Sequence, residues 1–106
     1  MTDTLEFTTV EGTDTRRDIE IYALSTCGFC KRALGFLDSN KIAYRYVHLD
    51  ELPLETKARV KQELSTRFNR QISFPFAIID GKDYLVGFIE IDWRNTLLGA
   101  AANAPR

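Results

Sequence analysis

The chain has 106 residues, 44% of them hydrophobic and 27% charged, which is enough for one globular domain with a buried core. Its 14 basic and 15 acidic residues are spread along the chain and leave a formal net charge of -1, so neither a nucleic-acid backbone nor an anionic membrane is an expected partner. No run approaches the roughly 18 apolar residues of a spanning helix, and the opening MTDTLEFTTVEGTDTRRD lacks the basic head and apolar stretch of a signal peptide.

Residues 1–17, rich in Thr, Asp, Glu and Gly, read as a loosely ordered arm or an edge element, with the domain proper over residues 18–106. In DIEIYAL, Ile19, Ile21 and Ala23 alternate with Glu20, Tyr22 and Leu24, the pattern of a first strand. Beyond Thr26 the period turns helical. Phe29, Ala33, Phe36 and Leu37 recur on one face, with Cys30, Leu34 and Leu37 in an adjacent row, and predict a helix to about residue 40. IAYRYVHL returns to alternation, with Tyr44, Tyr46 and His48 opposed to Arg45, Val47 and Leu49. Strand, helix and strand in so short a span make a βαβ unit, which requires a parallel pair with a right-handed crossover.

DELPLETKARVKQELSTRFN predicts a second helix: Pro53 suits its first turn, Glu51 and Glu55 suit its positive end, and Leu54, Ala58, Val60, Leu64 and Phe68 make an apolar stripe. FPFAIIDGKDYLVGF sets two apolar runs around Asp80-Gly81, a strong hairpin signal. Ile89, Trp93 and Leu97 then recur every fourth residue as the inward face of a last helix, which Gly99 would stop. The expected order is β-α-β-α-β-β-α.

Cys27 and Cys30, both in STCGFCKRAL, are the only cysteines and stand where the first strand gives way to the first helix. The expected setting is the reducing cytoplasm, where a close cysteine pair more often means metal or redox chemistry than a permanent disulfide. A closed zinc site needs four ligands, and the soft donors here are Cys27, Cys30 and His48. No metal is therefore expected on the pair, and His48 reads as a strand residue. Two intervening residues at a helix start do bring the cysteines within disulfide range. Cys27, at the cap or first position, would have its thiolate stabilised by free backbone N–H groups and the helix dipole, with Lys31 and Arg32 adding positive charge one turn on. Such a sulfur attacks a disulfide and also leaves a mixed disulfide readily. Cys30, one turn inside and in row with Leu34 and Leu37, is the expected resolving thiol.

With these pieces in place, residues 18–98 resemble a glutaredoxin or glutaredoxin-like redoxin of the thioredoxin-fold superfamily. The resemblance rests on the strand leading into TCGFCKRAL, on Ser73-Phe74-Pro75 where glutaredoxins usually carry Thr-Val-Pro, and on the DGKDYLVGF hairpin ending near Gly87. It implies an α/β, thioredoxin-like fold with a four-stranded mixed sheet and helices on both faces. It also implies a cis Phe74–Pro75 bond lying against the cysteines, with Phe29, Ser73, Phe74, Pro75, Gly87 and Phe88 as the substrate-binding surface. The implied activity is dithiol thiol–disulfide exchange by a monomer on protein or low-molecular-weight disulfides, with no cofactor bound.

The departures from the family pattern bear on the electron source. Glutathione-using glutaredoxins commonly carry a Lys three residues before the first cysteine, where this chain has Leu24, and a Gly-Gly plus Asp segment that here reads VGFIE, with Ile89 or Glu90 for the acid. VGF is more similar to redoxins that draw electrons from thioredoxin reductase. Glutathione, another low-molecular-weight thiol and thioredoxin reductase are thus the candidate donors. Cys27-Gly28-Phe29 also resembles the start of the Cys-Gly-Phe-Ser site of monothiol glutaredoxins, which bridge an iron–sulfur cluster between subunits. An iron–sulfur carrier using Cys27 is the alternative reading.

Overall fold

A computed structural model describes residues 5–99. Its elements, in chain order, are β1 (Thr8–Val10), β2 (Ile19–Ala23), α1 (Gly28–Ser39), β3 (Tyr44–His48), a 3-10 turn (Leu49–Glu51), α2 (Leu54–Phe68), β4 (Phe76–Ile79), β5 (Asp83–Val86), α3 (Glu90–Arg94) and a π-type turn (Asn95–Gly99). The strands form one sheet in the order β1-β3-β2-β4-β5. β2 and β3 pair in parallel, as the βαβ unit requires, and the other neighbours pair antiparallel. No helix among the described residues is long and apolar enough to cross a membrane.

The sheet has five strands where four were expected. The additional one is β1, paired Thr8↔Tyr46 and Val10↔Tyr44 on the outer edge of β3. A three-residue strand with two exposed residues carries little hydrophobic alternation to read. What seats it is tertiary: Asp14 N–H donates to the Lys41 carbonyl and Ala43 N–H to the Asp14 carbonyl, at 2.8 and 2.9 Å. Phe7 adds an edge contact to Tyr22, with ring centroids 5.7 Å apart.

Alternation along β2 and β4 divides the core in two. Ile19, Ile21, Ala23, Ala77 and Ile79 face Cys30, Ala33, Phe36 and Leu37 of α1 and Trp93 and Leu97 near the C-terminus. Tyr22, Phe76 and Ile78 face Val60 and Leu64 of α2 together with Val47, Leu49 and Ile72. Helices therefore cover both faces, and the central strands are buried on both sides.

Two of the expected helical stripes were too wide. On α2, Val60 and Leu64 are buried and Phe68 is half-buried, but Leu54 is 80% exposed and Ala58 is exposed. At 3.6 residues per turn, positions 54 and 58 point roughly a quarter to a third of a turn away from the 60–64–68 row. On α3, Trp93 and Leu97 are buried while Ile89 is an exposed cap residue, because the helix begins only at Glu90. The Asp80-Gly81 hairpin forms as its residues demand. Both have positive φ, 56° and 75°, and Lys82 N–H closes the turn on the Ile79 carbonyl, the two-residue geometry that matches strand twist.

Candidate active site

The β2–α1 junction places the sulfurs. Past Ala23 the chain turns over Ser25 and Thr26, a turn closed by Cys27 N–H donating to the Leu24 carbonyl at 3.2 Å. Cys27 has extended backbone (φ -88°, ψ 119°) and is the N-cap of α1. A cap side chain ordinarily supplies an oxygen to the free amides of the first turn. Here the acceptor is sulfur: Cys27 Sγ takes the Cys30 N–H at 3.2 Å. Lys31 N–H donates to the Cys27 carbonyl, the first bond of the helix. The peptide dipoles of α1 therefore point their positive end at Cys27 Sγ.

The two thiols have different surroundings. Cys27 is half-buried, whereas Cys30 is 1% exposed and packs among Ala23, Ala33 and Leu37 in the α1 side of the core. Both are free thiols. Burial pushes the Cys30 thiol up to about 12, with its hydrogen bond to Cys27 acting in the same direction. Proximity, one accessible sulfur and one sheltered sulfur with its proton held are what a two-step exchange needs.

The Phe74–Pro75 bond is cis. Pro75 is fully buried and its carbonyl accepts the Gly87 N–H at 2.8 Å, so the proline turn and the end of β5 are held together. Gly87 has φ +70°, a conformation that favours glycine. Its carbonyl in turn accepts the Trp93 indole N–H at 2.8 Å, which ties this loop to α3. Phe88 stacks edge-on against Trp93 at 5.4 Å and lies 5.9 Å from Phe36. Cys27, Phe74 and Phe88 all pack on the same core cluster that contains Cys30. The cysteines, Phe74 and Phe88 thus share the α1 side of the core, with Phe74 also reaching the α2 side.

The remaining expected site residues are looser. Phe29 is 54% exposed, next to Cys30 on the first turn of α1, with the Arg32 guanidinium 5.0 Å from its ring centroid. Lys31 and Arg32 are exposed, and Ser73 is exposed ahead of the proline turn. Among the described residues, no group of three or more His, Cys, Asp or Glu is arranged to hold a metal ion.

The sequence pattern of the Glutaredoxin family matches residues 19–84. The chain belongs to the glutaredoxin family. Similar solved structures include the glutaredoxin from Methanosarcina mazei Go1, 32% identical with a TM-score of 0.74, where 89% of each chain is covered. Methanosarcina acetivorans methanoredoxin is 31% identical with a TM-score of 0.69, covering 82% of this chain and 90% of that one. The holo form of glutaredoxin C1 from Populus tremula x tremuloides is 27% identical with a TM-score of 0.63, covering 81% and 84%. Comparison with curated protein sequences gives no match. Family and fold together support thiol–disulfide redox chemistry at the Cys27–Cys30 pair.

Within this glutaredoxin frame, two polar residues stand at the site that sequence reasoning passed over. Ser25 lies in the turn before Cys27, and Asp50, in the 3-10 turn after β3, accepts hydrogen bonds from its amide and its hydroxyl. The pairing spans 25 positions. No local pattern could have signalled it, because the parallel register of β2 and β3 is what brings the two strand ends side by side.

Proposed function

We propose that this glutaredoxin is a dithiol thiol–disulfide oxidoreductase of the cytoplasm that reduces protein or low-molecular-weight disulfides. The observation that carries the reading is the asymmetric pair: Cys27 Sγ at the amino end of α1, and Cys30 buried one turn behind it, joined by the Cys30 N–H···Sγ contact. In the first step the Cys27 thiolate attacks one sulfur of the substrate disulfide, forming a mixed disulfide and releasing the other sulfur as thiolate, which takes up a proton from water. In the second, Cys30 loses its proton to solvent and attacks Cys27 Sγ, expelling the substrate's remaining sulfur. The products are a reduced substrate and a Cys27–Cys30 disulfide; two electrons have moved from the pair to the substrate, and a thiol or flavin-dependent reductase must return them.

The surface around the pair supports an extended substrate. A proline at the turn contributes no N–H, which leaves the backbone beside Pro75 free to pair with an incoming strand, and Phe29, Phe74 and Phe88 offer apolar contact. Leu24, half-buried and without charge, supplies no cation for a glutathione carboxylate. The electron source we favour is thus another low-molecular-weight thiol or thioredoxin reductase. The test is reduction of one disulfide substrate with glutathione and its reductase, with thioredoxin reductase, and with other small thiols. Cys27→Ser should abolish turnover with every donor, and unchanged turnover would sink the reading; Cys30→Ser should accumulate mixed disulfides with protein substrates. Visible absorbance in anaerobically purified protein would favour the cluster-carrying alternative instead.

A further inference from the structure

Four arginines, Arg16, Arg17, Arg45 and Arg94, each hold a carboxylate within 2.9 Å. Two cations beside the thiol site do not. Around Arg32 on α1, the positions three and four away are Gly28, Phe29, Gly35 and Phe36; around Lys61 on α2 they are Lys57, Ala58, Leu64 and Ser65. A helical ion-pair partner would stand at one of these positions, and none is a carboxylate. Among the described residues neither cation lies in an ion pair. Each stands over an aromatic ring instead. The Arg32 guanidinium is 5.0 Å from the Phe29 ring centroid and the Lys61 ammonium 5.9 Å from that of Phe74. A ring face attracts a cation without cancelling its charge.

We propose that the thiol pair serves polypeptide disulfides flanked by acidic residues, which are received by Lys61 beside Phe74 and by Arg32 beside Phe29. The inference rests on the dithiol reading above and names its substrate class. Phe29 adjoins Cys30 in the chain and is 54% exposed, and Phe74 immediately precedes the buried Pro75. α1 and α2 cover opposite faces of the sheet, so a substrate that engages both cations crosses the end of the sheet. An extended polypeptide, advancing about 3.3 Å per residue, does so. Lys61 also lines a groove of about 360 Å³ ahead of the Phe74 turn, with Ala58, Gln62, Ser65, Gln71 and Ile72. The amides and the hydroxyl there can hold a carboxylate that the ammonium attracts. The negative charge at the site lies elsewhere: Asp50 is bound to Ser25, and Asp92 shares a groove with Arg70, Tyr84 and Ile89. Acidic side chains are therefore received on the Phe29 and Phe74 sides.

The experiment reacts the reduced full-length chain with two synthetic disulfide peptides, alike except for Glu or Lys on both sides of the cysteine, and reads the ratio of their second-order rate constants. Comparing variants cancels the peptides' own reactivities. Lys61→Gln, an exposed helix substitution, loses an attraction on one peptide and a repulsion on the other. At about twofold each, the order of one exposed ion pair, the Glu-over-Lys ratio should fall about fourfold. In 1 M salt, where the screening length is about 3 Å, wild type and variant should converge. Lys82→Gln removes the same charge from the β4–β5 turn, at the other end of β4 from Pro75, and should leave the ratio in place. An unchanged ratio in Lys61→Gln would overturn the proposal, as would an equal fall in Lys82→Gln, which would mean steering by net charge. An equal loss on glutathione disulfide would assign Lys61 to the carboxylate of a small thiol and overturn the polypeptide occupant. Failure of the wild type to reduce either peptide, or undiminished reduction by Cys27→Ser, would instead strike at the dithiol reading, so the failures are distinct.

Discussion

The asymmetry of the two thiols makes a quantitative prediction about alkylation. Take the reduced chain in iodoacetamide at pH 7.5. An ordinary cysteine with a pKa near 8.5 is about 9% thiolate there, while a thiol at about 12, as for Cys30, is about 0.003%, a ratio of roughly 2,900. The more basic thiolate is the better nucleophile, and a Brønsted slope near 0.45 over about 3.5 units returns a factor of roughly 38. Cys30 in the folded chain should therefore react roughly 80-fold more slowly than Cys30 in the same chain unfolded in guanidinium, and its 1% exposure slows it further. Peptide mass spectrometry with fragmentation between the two cysteines measures each rate separately. The folded chain should acquire one label, on Cys27. Alkylation of native Cys30 within about tenfold of its unfolded rate would refute the reasoning, since neither its burial nor its held proton would then be real.

Trp93→Phe removes the indole N–H from the Gly87 carbonyl and leaves a void where Trp93 is 1% exposed; the expected loss is about 2–4 kcal/mol in urea unfolding, with faster hydrogen exchange at the Gly87 amide, and an unchanged midpoint would refute it. Stability should also fall on the alkaline side. Folded Cys30 holds its proton up to about pH 12, whereas the unfolded thiol releases it near pH 8.5, so its stabilising contribution is complete below about 8.5 and is lost as the pH climbs toward 12. Burial raises Tyr22 and Tyr44 as well, which steepens the fall above about pH 10. Denaturant midpoints between pH 8 and 10.5 should decline, and less so in Cys30→Ala; a flat profile would contradict the burial of these groups. Finally, a Cβ on Gly12 would stand 2.5 Å from the Lys41 carbonyl oxygen and 2.8 Å from Ala43 N, both backbone atoms that cannot swing aside. Gly12→Ala should detach the Asp14 bridge and β1 at a cost of about 1–3 kcal/mol, read as lost exchange protection at the Ala43 amide, with the thiol site unaffected.

How much of this was legible in the sequence depends on the range over which each signal acts. β2, α1, β3, α2, β4 and β5 follow from periodicity and turn chemistry, because alternation, the Cys27 cap position and Asp80-Gly81 are local facts of covalent spacing. Cys27 and Cys30 stand together for the same reason: three residues apart at a helix start, they have no other place to go. Trp93 was legible as core from its spacing to Leu97, although its indole bond to Gly87 was not. The width of the α2 stripe was misread because a run of apolar residues does not say which rotation of the helix meets the sheet. Leu54 and Ala58 lost that contest to Val60 and Leu64.

The sequence by itself thus determined the order of elements and the chemistry of the pair, both properties of neighbouring residues. Only the tertiary structure decided the fifth strand, the bond from Gly87 to the carbonyl of Pro75, and the Asp50 grip on Ser25. Each of these joins segments far apart in the chain, the last two through one or two polar contacts. Such contacts leave no periodic trace, because the partners are brought together by the burial of other residues.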